Sequence, residues 1–176
     1  SRTPESPSSI LGESPFRPER FFALSSPEVR PVCKRMKPCL TLSMVPSLRG
    51  GPWVLWDDLA TGIAKTSKLG FSAIELFTEG PSAGDEGELG RLLDENGLEL
   101  GAVGTGAGKV IKGLTLTDPD PGIRAEAKAF ISEMIAFGGQ FGAPAIIGSM
   151  QGSSGDSASR ADCLQWLADA LEELGE

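Results

Sequence analysis

The sequence predicts an α/β fold in which four strand-helix units in a row build a parallel sheet. Three observations lead to this prediction. From Cys39 onward, short apolar runs alternate with amphipathic segments, capping residues stand where helices should begin, and glycines stand where they should end. Strands that alternate with helices need crossover connections, which favour parallel pairing and a sheet buried on both faces. The nearly continuous apolar strands suit that arrangement.

The first two units occupy the first half of this region. CLTLSMV (39–45) predicts the first strand, and FSAIELF (71–77) predicts the second. A helix over 85–96 follows the second strand, with Asp85 as its N-cap and a glycine at its end. Between the two strands, a helix within 53–70 is predicted by the shared apolar face of Leu55, Leu59, Ile63 and Leu69.

The last two units begin with LELGAV (98–103), which predicts the third strand. After a long loop, Asp120 as N-cap and Pro121 at the first helical position predict the best-defined helix of the chain. APAIIGSM (143–150) predicts the fourth strand, and Ser159 begins the last helix. The apolar face of the helix after Pro121 consists of Ile123, Ala127, Phe130, Ile131, Met134 and Phe137.

A composition boundary divides the chain into a tail, residues 1–38, and a folded domain, residues 39–176. The tail holds seven of the thirteen prolines, and its seven Lys or Arg outnumber four Glu, so it is about +3 in a chain of net charge −8. Spaced prolines deny it a regular helix or central strand, which predicts disorder. Its glutamates are unusual for a transit peptide. A further hypothesis is that Met36 is the natural start.

Composition excludes several classes of function. A net charge of −8 and a pI near 4.7 argue against binding to nucleic acid or to anionic lipid. No apolar run approaches the ~18 residues of a membrane span. The three cysteines, Cys33, Cys39 and Cys163, are too few and too irregular for a disulfide framework, which predicts reduced thiols and a cytoplasmic protein. A small molecule is the expected partner.

Histidine is absent from the sequence, which narrows the catalytic chemistry. A Ser-His-Asp triad, a Cys-His dyad and an imidazole metal ligand are all excluded within this chain. Proton transfer would have to use carboxylates, lysine, a thiol or a hydroxyl.

The glycine-rich stretch GTGAG (104–108) stands where the third strand ends. It fails the Walker A pattern because Val103 and Val110 occupy the positions of a glycine and of a Ser or Thr. It fails the dinucleotide pattern because Lys109 and Ile111 stand where the third glycine belongs. No helix is predicted directly after it. We expect the glycines to let the backbone approach a ligand, with a purely structural turn as the alternative.

The residues alone leave two architectures open, a doubly wound sheet and part of a (β/α)₈ barrel, whose complete form needs ~250 residues. Three stretches resemble the sugar isomerase and epimerase family with a xylose isomerase-like TIM barrel, which includes tagatose epimerase-like and hydroxypyruvate isomerase-like enzymes. They are LGFSAIEL, GTGAGKVIKGLTLTDPD and FGAPAIIGSMQG. The resemblance covers 39–176. It implies four parallel βα units that form the N-terminal half of a (β/α)₈ TIM barrel.

The resemblance also implies a reaction. Members of the family shift a proton between neighbouring carbons of a ketose or related hydroxycarbonyl substrate through an enediol, with a divalent metal such as Mn²⁺ or Mg²⁺. The family's metal ligands lie at the ends of strands five to eight, whereas this chain stops at Glu176, before strand five. We therefore expect a truncated chain that is inactive alone and binds no metal by itself. No catalytic residue is carried over from the family.

The part of the family's site that remains is the substrate-side rim at the ends of the four strands. A carboxylate inside the second apolar strand would be costly to bury unpaired, so it should have a partner or a task, a structural ion pair being the alternative. Trp53 and Trp56 are further candidates for the mouth of the barrel, although helix packing explains such residues equally well. The substrate-binding candidates are Glu75, Thr105, Lys109, Ser149 and Gln151.

Two other functions are compatible with this fold. A half-barrel could be a non-catalytic binding or assembly module that forms a homo-oligomer, or pairs with a second half-barrel, to cover the open edges of its first and fourth strands. The endonuclease branch of the same barrel is a third hypothesis. The acidic composition and the absence of histidine give it poor support.

Overall fold

The computed structural model describes residues 36–51, 55–81, 86–155 and 158–175, and within them it confirms the predicted α/β fold. One sheet has the strand order β1-β2-β3-β4, with each neighbouring pair parallel. This order never reverses, whereas a doubly wound sheet reverses at its switch point. The described strands therefore follow one another as consecutive units of a barrel do. They are β1 (Cys39–Ser43), β2 (Ala73–Phe77), β3 (Glu99–Gly104) and β4 (Ala145–Ile146).

Five helices accompany the described strands, and two of them begin as predicted. Asp120 accepts a hydrogen bond from the Gly122 amide at 2.7 Å, and Ser159 accepts one from the Asp162 amide at 3.1 Å. The predicted N-cap Asp85 and the predicted tail up to residue 35 lie outside the described residues. The helices are α1 (Leu59–Lys68), α2 (Glu86–Asn96), α3 (Ala107–Lys112), α4 (Pro121–Gln140) and α5 (Arg160–Leu174). None of these helices is both long and apolar enough to cross a membrane.

Two predictions about local structure are wrong. The stretch after the glycines contains α3, where a loop is predicted, and this helix ends at Gly113, whose φ of 72° places it in the left-handed region. Six residues are too few for an apolar period to show in the sequence. The fourth strand has only two residues instead of the predicted eight, because the chain turns at Gly148 (φ 52°) into a 3-10 turn, Gly148–Gln151.

The hydrophobic core lies between the sheet and its helices. Alternate residues of each strand point to this side, and the helices contribute leucine, isoleucine and methionine side chains. Burial of each such side chain stabilises the fold by about 1.5–3 kcal/mol. The core holds the strands in register, so that their carboxyl ends meet at one edge. Fully buried members include Leu42, Ile63, Ile74, Val103, Ile131 and Met134.

Candidate functional site

Two glycines at the carboxyl end of β3 let a carboxylate, an aromatic ring and a hydroxyl lie close to the main chain of the strand end. A Cβ added to Gly104 would lie 2.8 Å from Phe77 Cδ2 and 3.6 Å from Glu75 Oε1. A Cβ added to Gly106 would lie 3.1 Å from Phe77 Cε2 and 3.2 Å from Ser149 Oγ. A Cβ at either position would crowd the Phe77 ring, so glycine is what allows Phe77 and Ser149 to lie this close to the main chain after β3. We call these five residues the glycine slot.

Glu75 lies on the inner face of β2, the face turned away from the helices. Thr41, its partner in the register of β1 and β2, donates a hydrogen bond from Oγ1 to Glu75 Oε2 at 3.2 Å. The carboxylate is half-buried, and among the described residues no Lys or Arg forms an ion pair with it. A ligand hydroxyl would therefore meet a carboxylate with free acceptor positions.

Cys39 shares the inner face with Glu75. Burial, and then the negative charge of Glu75, raise the pKa of the Cys39 thiol above its usual value. The thiol is therefore protonated at neutral pH. The reactivity of the Cys39 thiol should therefore respond to the charge on Glu75.

Thr105 directly follows β3 and is 0% exposed. Its amide donates to the Ile146 carbonyl at 3.1 Å, and its Oγ1 lies 2.9 Å from that oxygen and 3.0 Å from the Ile147 carbonyl oxygen. The amide and the hydroxyl of Thr105 thus bind the main chain of β4 and of the residue that follows it. The predicted contact of Thr105 with substrate stays a prediction.

The other three predicted substrate-binding residues are distributed over two places. Ser149 and Gln151 are exposed on the 3-10 turn after β4, and Ser149 reaches the glycine slot. Lys109 is half-buried on α3 and lines a separate cavity of about 210 Å³, together with Thr117 and Asp118. The structure therefore brings Glu75 and Ser149 to one slot and places Lys109 beside another cavity.

Ser43, the last residue of β1, is a candidate that the sequence interpretation missed. It is 2% exposed, and its Oγ has no hydrogen-bond partner in the part of the chain that the structure describes. It lines a cleft of about 350 Å³ with Arg49 and Trp56, whereas Trp53 lies outside the described residues. The available signal was a polar residue within the apolar run 39–45 that predicts the first strand. A buried hydroxyl without a protein partner is expected to form a hydrogen bond with a ligand or with water.

A wider cleft of about 690 Å³ lies beyond the loop after β2, beside α3 and α4. Its wall carries Glu79 and Glu133, and Lys112 stacks over the Phe130 ring at 5.0 Å from the centroid. None of these residues belongs to the glycine slot.

The described residues do not fit a divalent metal. They contain no group of three or more Cys, Asp or Glu placed to hold an ion. Such ions in isomerase sites need several carboxylate or imidazole ligands together.

Comparisons with known proteins agree with the fold. A family model described as a xylose isomerase-like TIM barrel matches residues 63–176. A D-psicose 3-epimerase with D-tagatose, from Clostridium cellulolyticum H10, is a similar solved structure, with a TM-score of 0.55 and 18% identity over 80% of this chain and 47% of that one. An L-ribulose 3-epimerase is similar with a TM-score of 0.56 and 19% identity over 78% and 44%. No curated protein sequence matches. The chain spans about half the length of these solved structures.

Proposed function

The chain belongs to the xylose isomerase-like TIM-barrel family, and from that membership we propose that it supplies the substrate-facing half of an isomerase or epimerase site for a small sugar or hydroxycarbonyl compound. The glycine slot is the observation that carries this proposal. It lies at the carboxyl ends of parallel strands, the edge at which barrel enzymes bind their substrates. The Glu75 carboxylate lies beside Gly104, and the Ser149 hydroxyl lies beside Gly106.

The slot offers a sugar three kinds of contact. Glu75 accepts hydrogen bonds from substrate hydroxyls, and such charge-assisted bonds are about twice as strong as neutral ones. The hydroxyl of Ser149 both donates and accepts. The Phe77 ring gives an apolar wall for the C–H groups of the ligand. Ser43 offers a further hydroxyl at the end of β1.

The proposed reaction moves a proton between neighbouring carbons through an enediol. As in the family that the chain resembles, paired carboxylates would carry the proton. We propose that the Mn²⁺ or Mg²⁺ of the family, and the groups that move the proton, are held outside the described residues, so that the chain alone binds sugar without turning it over. A cytoplasmic location is part of this proposal, since three irregularly spaced cysteines suit a reducing compartment.

A titration with D-psicose tests the proposal. Amide NMR spectra of the chain should shift at Gly104, Gly106 and Ser149, while signals from Glu99, at the opposite end of β3, stay unchanged. Shifts elsewhere, or none, would refute binding in the slot. A second sample in D₂O with Mn²⁺ should show no exchange of the sugar's carbon-bound protons. Exchange catalysed by the chain alone would contradict the proposed division of the site.

A non-catalytic assembly module is a second candidate, favoured by exposed apolar residues on β4 and on α5. Ile146 on β4 is 43% exposed, and Leu164 and Leu171 on α5 are 56% and 46% exposed. Apolar surface of this kind favours association with another half-barrel or another copy of the chain. Sedimentation velocity should then give a discrete dimer that Leu171→Glu dissociates. A monomer at all concentrations would rule this candidate out.

A further inference from the structure

We propose that Thr105 is a positioning residue, which holds the end of β4 so that the Ser149 hydroxyl faces the slot beside Gly106. It does so without touching the substrate itself. This inference rests on the proposed function, because the position of Ser149 matters for activity only if the glycine slot binds substrate.

The hydrogen bonds that Thr105 donates go to the chain around β4, while its carbonyl accepts one from the Gly108 amide at 2.9 Å. Its amide and its hydroxyl lie 3.1 Å and 2.9 Å from the Ile146 carbonyl oxygen, and the hydroxyl lies 3.0 Å from that of Ile147. The residue is 0% exposed. A ligand in the slot would therefore find no free polar group on Thr105.

The ladder between β3 and β4 is too short to hold this region alone. Only two residue pairs form it, Val103 with Ala145 and Gly104 with Ile146. The bonds from Thr105 extend the connection one residue beyond the ladder, to Ile147, which directly precedes the turn that carries Ser149. A strand pair of two residues depends strongly on each added hydrogen bond.

Met150 anchors the other side of Ser149. It is 0% exposed, its Sδ lies 2.8 Å from where a Cβ on Gly108 would be, and its carbonyl accepts the Leu116 amide at 2.8 Å. Ser149 thus stands between a hydrogen-bonded anchor at 147 and a packed anchor at 150. Its backbone is fixed on both sides while its side chain stays exposed.

Three variants separate positioning from general stability. Thr105→Val keeps the shape of the side chain and loses the hydroxyl, and Thr105→Ser keeps the hydroxyl. Thr66→Val is the matched control, because Thr66 is also 0% exposed and donates to a main-chain carbonyl, that of Gly62 at 2.8 Å, inside α1. Loss of the Thr66 hydroxyl should lower the melting temperature without affecting the glycine slot.

Amide hydrogen exchange gives a readout that needs no ligand. Thr105→Val should speed exchange at residues 147–150 about tenfold, whereas Thr105→Ser and Thr66→Val should leave those amides near the wild-type rate. Unchanged exchange at these amides in Thr105→Val would overturn the inference, whether or not the chain binds a sugar.

D-Psicose affinity gives the second readout, in a double-mutant cycle with Ser149→Ala. Thr105→Val should weaken binding about tenfold, Thr105→Ser should restore it, and Ser149→Ala should cause little further loss in the Thr105→Val background. Fully additive losses would mean that Thr105 touches the sugar directly and would overturn the inference. If the wild-type chain binds no D-psicose in the slot, the proposed function fails, and the exchange experiment alone decides the role of Thr105.

Discussion

Ile74 and Leu76 of β2 face the helices and are 0% and 2% exposed, whereas Glu75 between them faces the inner side, half-buried and hydrogen-bonded to Thr41. Ile74 and Leu76 pack in the continuous core, while Glu75 lies beside the glycine slot. Neighbouring residues of one strand therefore have different roles. The helix side stabilises the fold, and the inner side is the proposed ligand-binding face. Substitutions on the two faces should separate stability from binding.

The largest expected effect is on the helix side. Ile74→Ala should lower the free energy of unfolding by about 2–5 kcal/mol, because it leaves a cavity among fully buried side chains. Ile146→Ala is the matched control, since that isoleucine is 43% exposed on β4 and should cost much less. Urea denaturation measures both. Equal costs for the two variants would contradict the division between the faces.

A substitution in the slot should affect both properties. In Gly104→Ala the new Cβ would lie 2.8 Å from Phe77 Cδ2, which should destabilise the fold by about 1–3 kcal/mol and abolish D-psicose binding. Gly139→Ala, in α4 with no atom within 4 Å of the added Cβ, should be neutral or slightly stabilising. Thermal melts and NMR titration give the two readouts. Undiminished sugar binding by Gly104→Ala would show that the slot is not the site.

A smaller effect should appear at the Cys39 thiol. Glu75→Gln removes the negative charge that contributes to the raised pKa of Cys39, so the pKa should fall, although burial keeps it above the ordinary value. The pH dependence of iodoacetamide alkylation, in a Cys33→Ser background, measures this shift. Cys163 is 5% exposed and should react slowly. An unshifted profile would mean that residue 75 carries no charge near the thiol.

The smallest effect concerns stability at alkaline pH. The pKa of Cys39 is higher in the folded chain than its ordinary value of 9.0, so the folded state binds the thiol proton more tightly than the unfolded state does. The thiol therefore has no effect on stability well below pH 9 and destabilises the fold as the pH rises above it. Urea denaturation across this range should show a shallower decline for Cys39→Ser. Parallel declines would contradict the prediction.

The features that could be predicted from sequence are those set by neighbouring residues. Asp120 and Ser159 cap α4 and α5 through bonds to amides two and three residues ahead, so their residue types reveal the helix starts. By contrast, α3 packs Gly108 against Met150, more than forty residues later in the chain. The short fourth strand depends on the turn at Gly148. Long-range packing such as that of Gly108 against Met150 leaves no local pattern in the sequence.

The candidate site also combines features that the sequence predicts with features that only the folded chain shows. Glu75 stands out in the sequence as a carboxylate within an apolar run, but its partner Thr41 follows only from the register of β1 and β2. Ser149 could be placed after the fourth strand, whereas its approach to Gly106 requires the folded turn. Lys109 follows the same glycines in sequence but lines a different cavity, because α3 turns it away from the slot.

The D-psicose affinity of Glu75→Gln, compared with that of Glu99→Gln, tests the central claim most directly. Both variants exchange a carboxylate for an amide, but Glu99 lies at the start of β3, exposed and paired with Lys37 at 2.6 Å. Glu75→Gln should weaken D-psicose binding about tenfold with little change in stability, because the slot loses its charged acceptor. Glu99→Gln should bind as the wild type does. Equal affinities for the two variants would contradict a sugar site on the inner face.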